Sequence, residues 1–228
     1  MSQCHLCPRD CGADRGVETG RCGVGKLPRV ARAALHFWEE PCISGTKGSG
    51  AIFFSGCPLG CLYCQNEKIS HRCEGIDIPV SRLREIIEEL ISQGAHNINL
   101  VNPTHYTDVV LQALEGTLSV PVVWNSSGYE LPESLRRIAS HADVFLPDLK
   151  YSDPELAARY SGARDYFEVA KSAIVTMADC AGPPVFDDDG LLRRGVLLRH
   201  LVLPGCEENT RGVIDWVSET FPNGEVLF

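Results

Sequence analysis

Three cysteines, Cys57, Cys61 and Cys64, stand with three and then two residues between them, directly after the short apolar run Ala51-Ile52-Phe53-Phe54-Ser55. On a loop leaving a strand, thiols at this spacing can converge on one face of a small inorganic cluster. A [4Fe-4S] cube has four irons and takes one thiolate at each, so three ligands leave one iron open. An iron without a protein ligand can chelate a small molecule through its amino and carboxylate groups. The plainer alternative is a structural zinc site using two of the three with another cysteine. Zinc sites favour CX2C or CX4C pairs, so this spacing, after a strand, favours the cluster.

A second group of thiols, Cys4, Cys7, Cys11 and Cys22, lies in a short Gly-rich stretch with little else to hold it folded. So small a segment lacks a core of its own and is expected to be a metal-closed knuckle. Zinc and a second iron-sulfur cluster fit these four ligands equally well, and both are favoured over an unmetallated Cys-rich arm. His5 could replace one thiolate but reads better as a surface residue. The chain carries 11 cysteines in 228 residues, and no apolar run reaches the 18 residues of a membrane span. The polar, Cys-rich N-terminus does not resemble a signal peptide. A cytoplasmic protein is therefore expected, its clustered thiols reduced and metal-ligating rather than paired as disulfides. A net charge of -9 argues against nonspecific nucleic-acid binding, which needs a basic surface to displace counterions.

Positioning these groups requires a scaffold, and the pattern beyond the cysteine loop is regular. Residues 29–41 alternate weakly, as an edge strand does, and a Gly-rich turn over 42–50 feeds a strand at 51–55. Leu83, Ile86, Ile87, Leu90 and Ile91 recur at helical spacing, with Ser81 as candidate cap and Gly94 as terminator. Strands are expected at 97–101, 120–124, 142–146 and 195–203, with a further one beginning at 225. Helices are expected at 107–115, 132–140, from Asp153-Pro154 onward, 167–177 and 210–220. Strand and helix alternate every 25 to 30 residues, the spacing of βα units in a parallel sheet. Polar residues fall at successive strand ends: Asn102 and Thr104, Asn125 and Ser126, Asp148 and Lys150. That edge is where ligands bind in such folds.

The CX3CX2C triad, with Tyr63 at its usually aromatic penultimate position, resembles the signature of the radical S-adenosylmethionine (SAM) enzymes. Across residues 29–228 the chain is similar to the pyruvate formate-lyase-activating-enzyme-like branch. The stretches His36-Phe37-Trp38-Glu39-Glu40-Pro41-Cys42 and Asn99-Leu100-Val101-Asn102-Pro103-Thr104-His105-Tyr106 look like a subgroup whose members also carry the N-terminal cysteines. The resemblance implies an α/β fold, a partial (β/α)6 barrel over 29–228, here preceded by a Cys-rich metal-binding appendage over 1–28. Related enzymes continue past the position of Phe228, so a fragment or a shortened homologue is expected.

It also implies cofactors and roles: a [4Fe-4S] cluster on Cys57, Cys61 and Cys64, SAM at its open iron, and a reductant such as flavodoxin or ferredoxin. SAM is cleaved reductively, and the 5′-deoxyadenosyl radical so formed abstracts hydrogen from a substrate, of which a glycyl-radical protein or a peptide is one candidate. Tyr63 is expected against adenine. Asp148-Leu149-Lys150 is similar to the Asp-Leu-Lys of the activating enzymes' fourth strand, which makes Asp148 and Lys150 the candidate catalytic pair in contact with SAM. Where those enzymes place Gly-Gly-Glu on the SAM amino group, this chain has Asn102-Pro103-Thr104, so Asn and Thr oxygens or backbone must serve. Asn125-Ser126-Ser127-Gly128 replaces Asp-Thr-Asn-Gly and lacks the Asp a monovalent cation would use. Arg199, near the end of the fifth strand, is also expected to meet SAM.

Two other functions compete. One is a noncatalytic partner-binding protein stabilised by metal at its knuckle; the other is an iron-sulfur electron carrier. A simple carrier needs no array of polar strand ends, and no acid-base pair or nucleophile elbow suggests hydrolysis.

Overall fold

The computed structural model describes residues 3–228. In chain order the elements are β1 (Arg29–His36), α1 (Pro41–Ser44), β2 (Ser49–Phe54), α2 (Glu67–Ser70), β3 (Ile76–Asp77), α3 (Val80–Ser92), β4 (Ile98–Val101) and α4 (Thr107–Ala113). There follow β5 (Val122–Ser126), α5 (Pro132–Ile138), β6 (Val144–Pro147), α6 (Pro154–Ser161), α7 (Tyr166–Ala181), β7 (Val185–Phe186), β8 (Leu192–Val196) and α8 (Glu207–Thr220).

Eight strands form one sheet in the order β3-β1-β2-β4-β5-β6-β8-β7. Five of them, β2, β4, β5, β6 and β8, run parallel, and β1, β3 and β7 are antiparallel to their neighbours. The sheet is open, with β3 and β7 at its ends. It is therefore a mixed α/β sheet that does not close on itself. The sixth parallel strand expected at 225–228 contributes a single bridge, Leu197 to Leu227. The strand expected at 195–203 instead occupies 192–196, and beyond it Arg199 makes an isolated bridge with Asp148. The break has a local cause: β6 ends in Pro147, whose nitrogen has no proton for the ladder, although its carbonyl still accepts from the Arg199 amide at 2.9 Å. Nor is β1 an edge, because two residues of β3 pair outside it.

Side chains alternate across the sheet with period two. Ile52, Leu100, Trp124 and Phe145 are buried in the layer formed with α3, α4, α5 and α7. The intervening residues Ala51, Asn99 and Val123 lie side by side in the register on the opposite, inner face, as do Phe53, Val101, Asn125 and Leu146. Ile43 of α1 packs against Val123, Val144 and Leu146 there. A third cluster, rich in tyrosine, joins α6, α7 and α8 beneath the cysteine loop.

Helix ends follow local chemistry. Asp153 caps α6 by accepting from the Glu155 amide at 2.7 Å, Pro154 occupies the first turn, and left-handed Gly162 (φ 58°) closes the helix. In α3 the cap is Pro79, not Ser81, which lies inside the first turn.

Residues 3–28 contain no helix or strand and pack against the rest of the chain. Val24 is buried in the main core, and the Arg15 guanidinium donates to the carbonyls of His105 and Gly25. No helix among the described residues is long and apolar enough to cross a membrane.

Candidate functional site

The cysteine loop leaves β2 through Gly56, at φ 81°, where a Cβ would meet the Cys22 carbonyl oxygen at 2.5 Å. Only glycine can make this turn without displacing that backbone. The Cys57 amide then donates to the same carbonyl at 3.1 Å. Asn102, at the end of β4, adopts φ 59°, a left-handed conformation that Asn tolerates better than most residues. Its Nδ2 donates to the Gly56 carbonyl at 2.7 Å, so one strand end braces the next.

Cys57, Cys61 and Cys64 are free thiols and line one cavity of about 540 Å3 together with Tyr63, Asn102, Asn125, Ser126, Asp148, Lys150 and Arg199. Thr104, expected beside Asn102, does not line it. The residues after β4 turn as a 3-10 helix at Thr104–Tyr106, and the buried Thr104 hydroxyl donates inward to Glu130 Oε1 at 2.9 Å.

The geometry around the three sulfurs suits a thiolate-bound cluster. Cys57 Sγ accepts from the Gly60 amide at 3.4 Å, and Cys61 Sγ accepts from the Ser161 hydroxyl at 3.1 Å. Such donors spread the charge of a thiolate on iron. Burial pushes the Cys57 thiol up to about 11 as a free group, with the Gly60 amide working the other way; bonding to a metal reverses that order. The described residues include no three His, Cys, Asp or Glu side chains gathered tightly enough to hold a single ion. A cube binds thiolates at separate corners and does not demand that closeness.

Across the cavity lies a connected charged network. Asp148 Oδ2 accepts from Lys150 Nζ at 2.6 Å, and its Oδ1 accepts from Arg199 Nε at 3.0 Å. Burial alone would raise the Asp148 carboxyl; the two cations beside it hold it below the usual range. Burial likewise works to lower Lys150, and Asp148 outweighs it, so the ammonium is kept charged. Arg199 also donates to Glu39 Oε1 at 2.7 Å and to Asn125 Oδ1 at 2.8 Å. Glu39 Oε2 in turn accepts from Asn99 at 2.9 Å and Asn125 at 3.1 Å. Burial raises Glu39 to about 6 despite Arg199, with Glu40 adding to the rise.

Several residues of the site were not singled out as site residues from the sequence. Glu39 sits in a loop after β1, and its partners lie 60, 86 and 160 positions away. Glu130 is buried and accepts from Thr104, Trp124 and Ser126, holding the ends of β4 and β5 together. His200 lines the cavity with its ring between the Leu149 carbonyl and the Thr210 hydroxyl. Tyr151 shares a hydroxyl hydrogen bond with Tyr63 at 2.6 Å.

Comparison with known proteins agrees with this arrangement. Residues 51–204 match the radical SAM superfamily. The chain is 29% identical, over 236 aligned residues, to an uncharacterized protein of Methanocaldococcus jannaschii, a match covering 99% of this chain and 64% of that protein. It is also 29% identical, over 104 residues, to the 7-carboxy-7-deazaguanine synthase of Methanothermobacter thermautotrophicus, covering 45% of this chain and 41% of that enzyme. The chain thus spans less than two thirds of the length of either relative. Neither of the two is an activating enzyme by name, so the narrower resemblance rests on the motifs alone.

Proposed function

The chain belongs to the radical SAM superfamily, and from that premise we propose that it cleaves SAM reductively and removes a hydrogen atom from a substrate held in the same cavity. When bound, a [4Fe-4S] cluster with one open iron supplies the electron that breaks a carbon-sulfur bond of SAM, giving methionine and a 5′-deoxyadenosyl radical. The protein's part is to bind, orient and exclude water. Cys57, Cys61 and Cys64 would hold three corners of the cube. Lys150, kept cationic by Asp148, is the group in the cavity best suited to a carboxylate such as that of SAM's methionine moiety. Asn102 and Ser126 present polar atoms at adjoining strand ends, and the Tyr63 ring beside the loop offers adenine an aromatic surface. Arg199 positions Asp148, Asn125 and Glu39 relative to one another.

The observation that carries this reading is the convergence of three free thiols and the Asp148–Lys150–Arg199 network on one cavity. Its volume, about 540 Å3, falls within the roughly 300–1,000 Å3 of small-molecule sites. In this reading residues 29–228 are the catalytic unit and 1–28 a metal-binding addition to it. A flavodoxin or ferredoxin in the cytoplasm serves as reductant. The similarity of Asp148-Leu149-Lys150 to the activating enzymes makes a glycyl-radical protein or a peptide a candidate substrate. Anaerobic reconstitution with iron and sulfide, followed by dithionite and SAM, is expected to release 5′-deoxyadenosine and methionine together. Cys61→Ala is expected to abolish that release. A fully loaded cluster that yields no 5′-deoxyadenosine would remove the claim of catalysis.

A further inference from the structure

Eight cysteines lie outside the loop of Cys57, Cys61 and Cys64, and four of them fall in one short segment. Cys4, Cys7, Cys11 and Cys22 are all free, and the fold brings them together although no regular element holds the segment. A side chain at Gly20 would strike Cys22 Sγ at 3.4 Å, Cys11 Sγ at 3.5 Å and Arg15 Cδ at 3.7 Å, so two sulfurs and an arginine surround one glycine face. Cys4 is held in the same turn, its amide donating to the Ala13 carbonyl at 3.0 Å and its carbonyl accepting from the Gly12 amide at 3.1 Å. Cys7 is buried, and its carbonyl accepts from the Asp10 amide at 3.0 Å in the turn that leads to Cys11. Arg15 Nε is buried with no hydrogen-bond partner among the described residues, a donor in want of an acceptor beside the thiols.

The same segment grips the cysteine loop of the first site at two points. The Cys22 carbonyl accepts from the Cys57 amide at 3.1 Å. Arg9, between Cys7 and Cys11, donates to the carbonyls of Pro58 at 2.8 Å and Leu59 at 3.3 Å. It also reaches the Ser161 carbonyl at 2.7 Å.

We propose that Cys4, Cys7, Cys11 and Cys22 bind a second iron-sulfur cluster, and that this centre fixes the knuckle which clamps the loop of Cys57, Cys61 and Cys64. A cluster suits the geometry better than zinc. Zinc requires its sulfurs at about 2.3 Å from one ion, and among the described residues neither cysteine group is gathered that tightly, whereas a cluster takes its thiolates at separate irons. Four thiolates on a cluster carry net negative charge, which the neighbouring Arg15 offsets.

The test uses the full chain with the first site removed. A Cys57→Ala, Cys61→Ala, Cys64→Ala protein, purified and reconstituted anaerobically, is expected to retain about half of the wild-type iron and sulfide. Adding Cys7→Ser and Cys11→Ser is expected to remove the rest. Alkylation of native wild-type holoprotein, mapped by mass spectrometry, guards against loss of fold. The exposed Cys11 is expected to be protected until acid or chelator is added. Iron-free triple variant, rapid alkylation of Cys11 in native holoprotein, or one zinc per chain lost with Cys7→Ser would each overturn the proposal. Arg9→Met leaves every ligand in place and is expected to speed chelator-driven loss of first-site iron severalfold; an unchanged rate would overturn the clamp. None of these readouts requires SAM cleavage, so the outcome is separable from that of the proposed reaction.

Discussion

Arg199→Met removes the cation that joins the cavity's acidic groups. In the wild type the guanidinium meets Glu39 Oε1 at 2.7 Å, Asp148 Oδ1 at 3.0 Å and Glu40 Oε1 at 3.5 Å. Its loss leaves Asp148 with Lys150 and strands Glu39 and Glu40 without a cation. Stranding one partner of a buried ion pair costs about 3–5 kcal/mol. Because 27% of the Arg199 side-chain surface remains exposed, the lower end applies, about 3 kcal/mol. With a slope near 3 kcal/mol per molar urea, the unfolding midpoint should fall by about 1 M.

The deficit also has a pH signature. Glu39 is raised from 4.5 to about 6, chiefly by burial. A carboxyl raised in the folded state contributes stability that is full below its unfolded pKa of 4.5 and lost as pH climbs through about 6. Near pH 5 Glu39 is largely protonated with or without Arg199, so the variant's deficit should shrink by about 1–2 kcal/mol relative to pH 7.5. Asp148 behaves oppositely: held low, its contribution is present above 3.8 and lost on further acidification, outside this window. Urea titrations followed by tryptophan fluorescence at both pH values measure the effect. Adding Glu39→Gln should recover about 1 kcal/mol at pH 7.5, since it neutralises one stranded group. A deficit below about 0.5 kcal/mol, or one equal at the two pH values, would refute the account of a charge-balanced network.

Two further substitutions probe the scaffold. Glu130→Gln places an amide NH2 against the donors of Trp124, Ser126 and Thr104, and should cost about 1–3 kcal/mol; a calorimetric midpoint within about 1 °C of wild type would contradict this. Gly56→Ala forces a Cβ to within 2.5 Å of the Cys22 carbonyl at a positive φ, so it should destabilise by more than about 1 kcal/mol. It should also lower iron bound by the three-thiol loop, and full loading at wild-type stability would count against that close approach.

Much of the site was legible because its chemistry is written locally. The cysteine triad, Asp148 with Lys150, and the α6 cap of Asp153-Pro154 lie within a few residues of one another, where spacing alone brings side chains together. Thr104 was misplaced because a 3-10 turn at the end of β4 rotates its hydroxyl away from the cavity. Glu39 and Glu130 were silent for the opposite reason, since each acquires its role from partners that only the folded sheet makes adjacent. The strand expected at 195–203 failed at its far end because its alternation says nothing of the neighbour across the ladder, where Pro147 offers no proton. The N-terminal thiols could be counted in the sequence, but the contacts that tie their segment to the rest of the chain, through Val24 and Arg15, are nonlocal and could not.

The antiparallel course of β1 separates two kinds of change. Since its last residue, His36, pairs with Ser49 at the start of β2, the segment bearing Glu39 enters the cavity from the side opposite the cysteines. Substitutions in that short connector could therefore retune what is accommodated there while leaving the sulfur end untouched. The scaffold has a fixed pole and an adjustable one, and laboratory evolution directed at residues 37–40 is the economical place to begin altering selectivity.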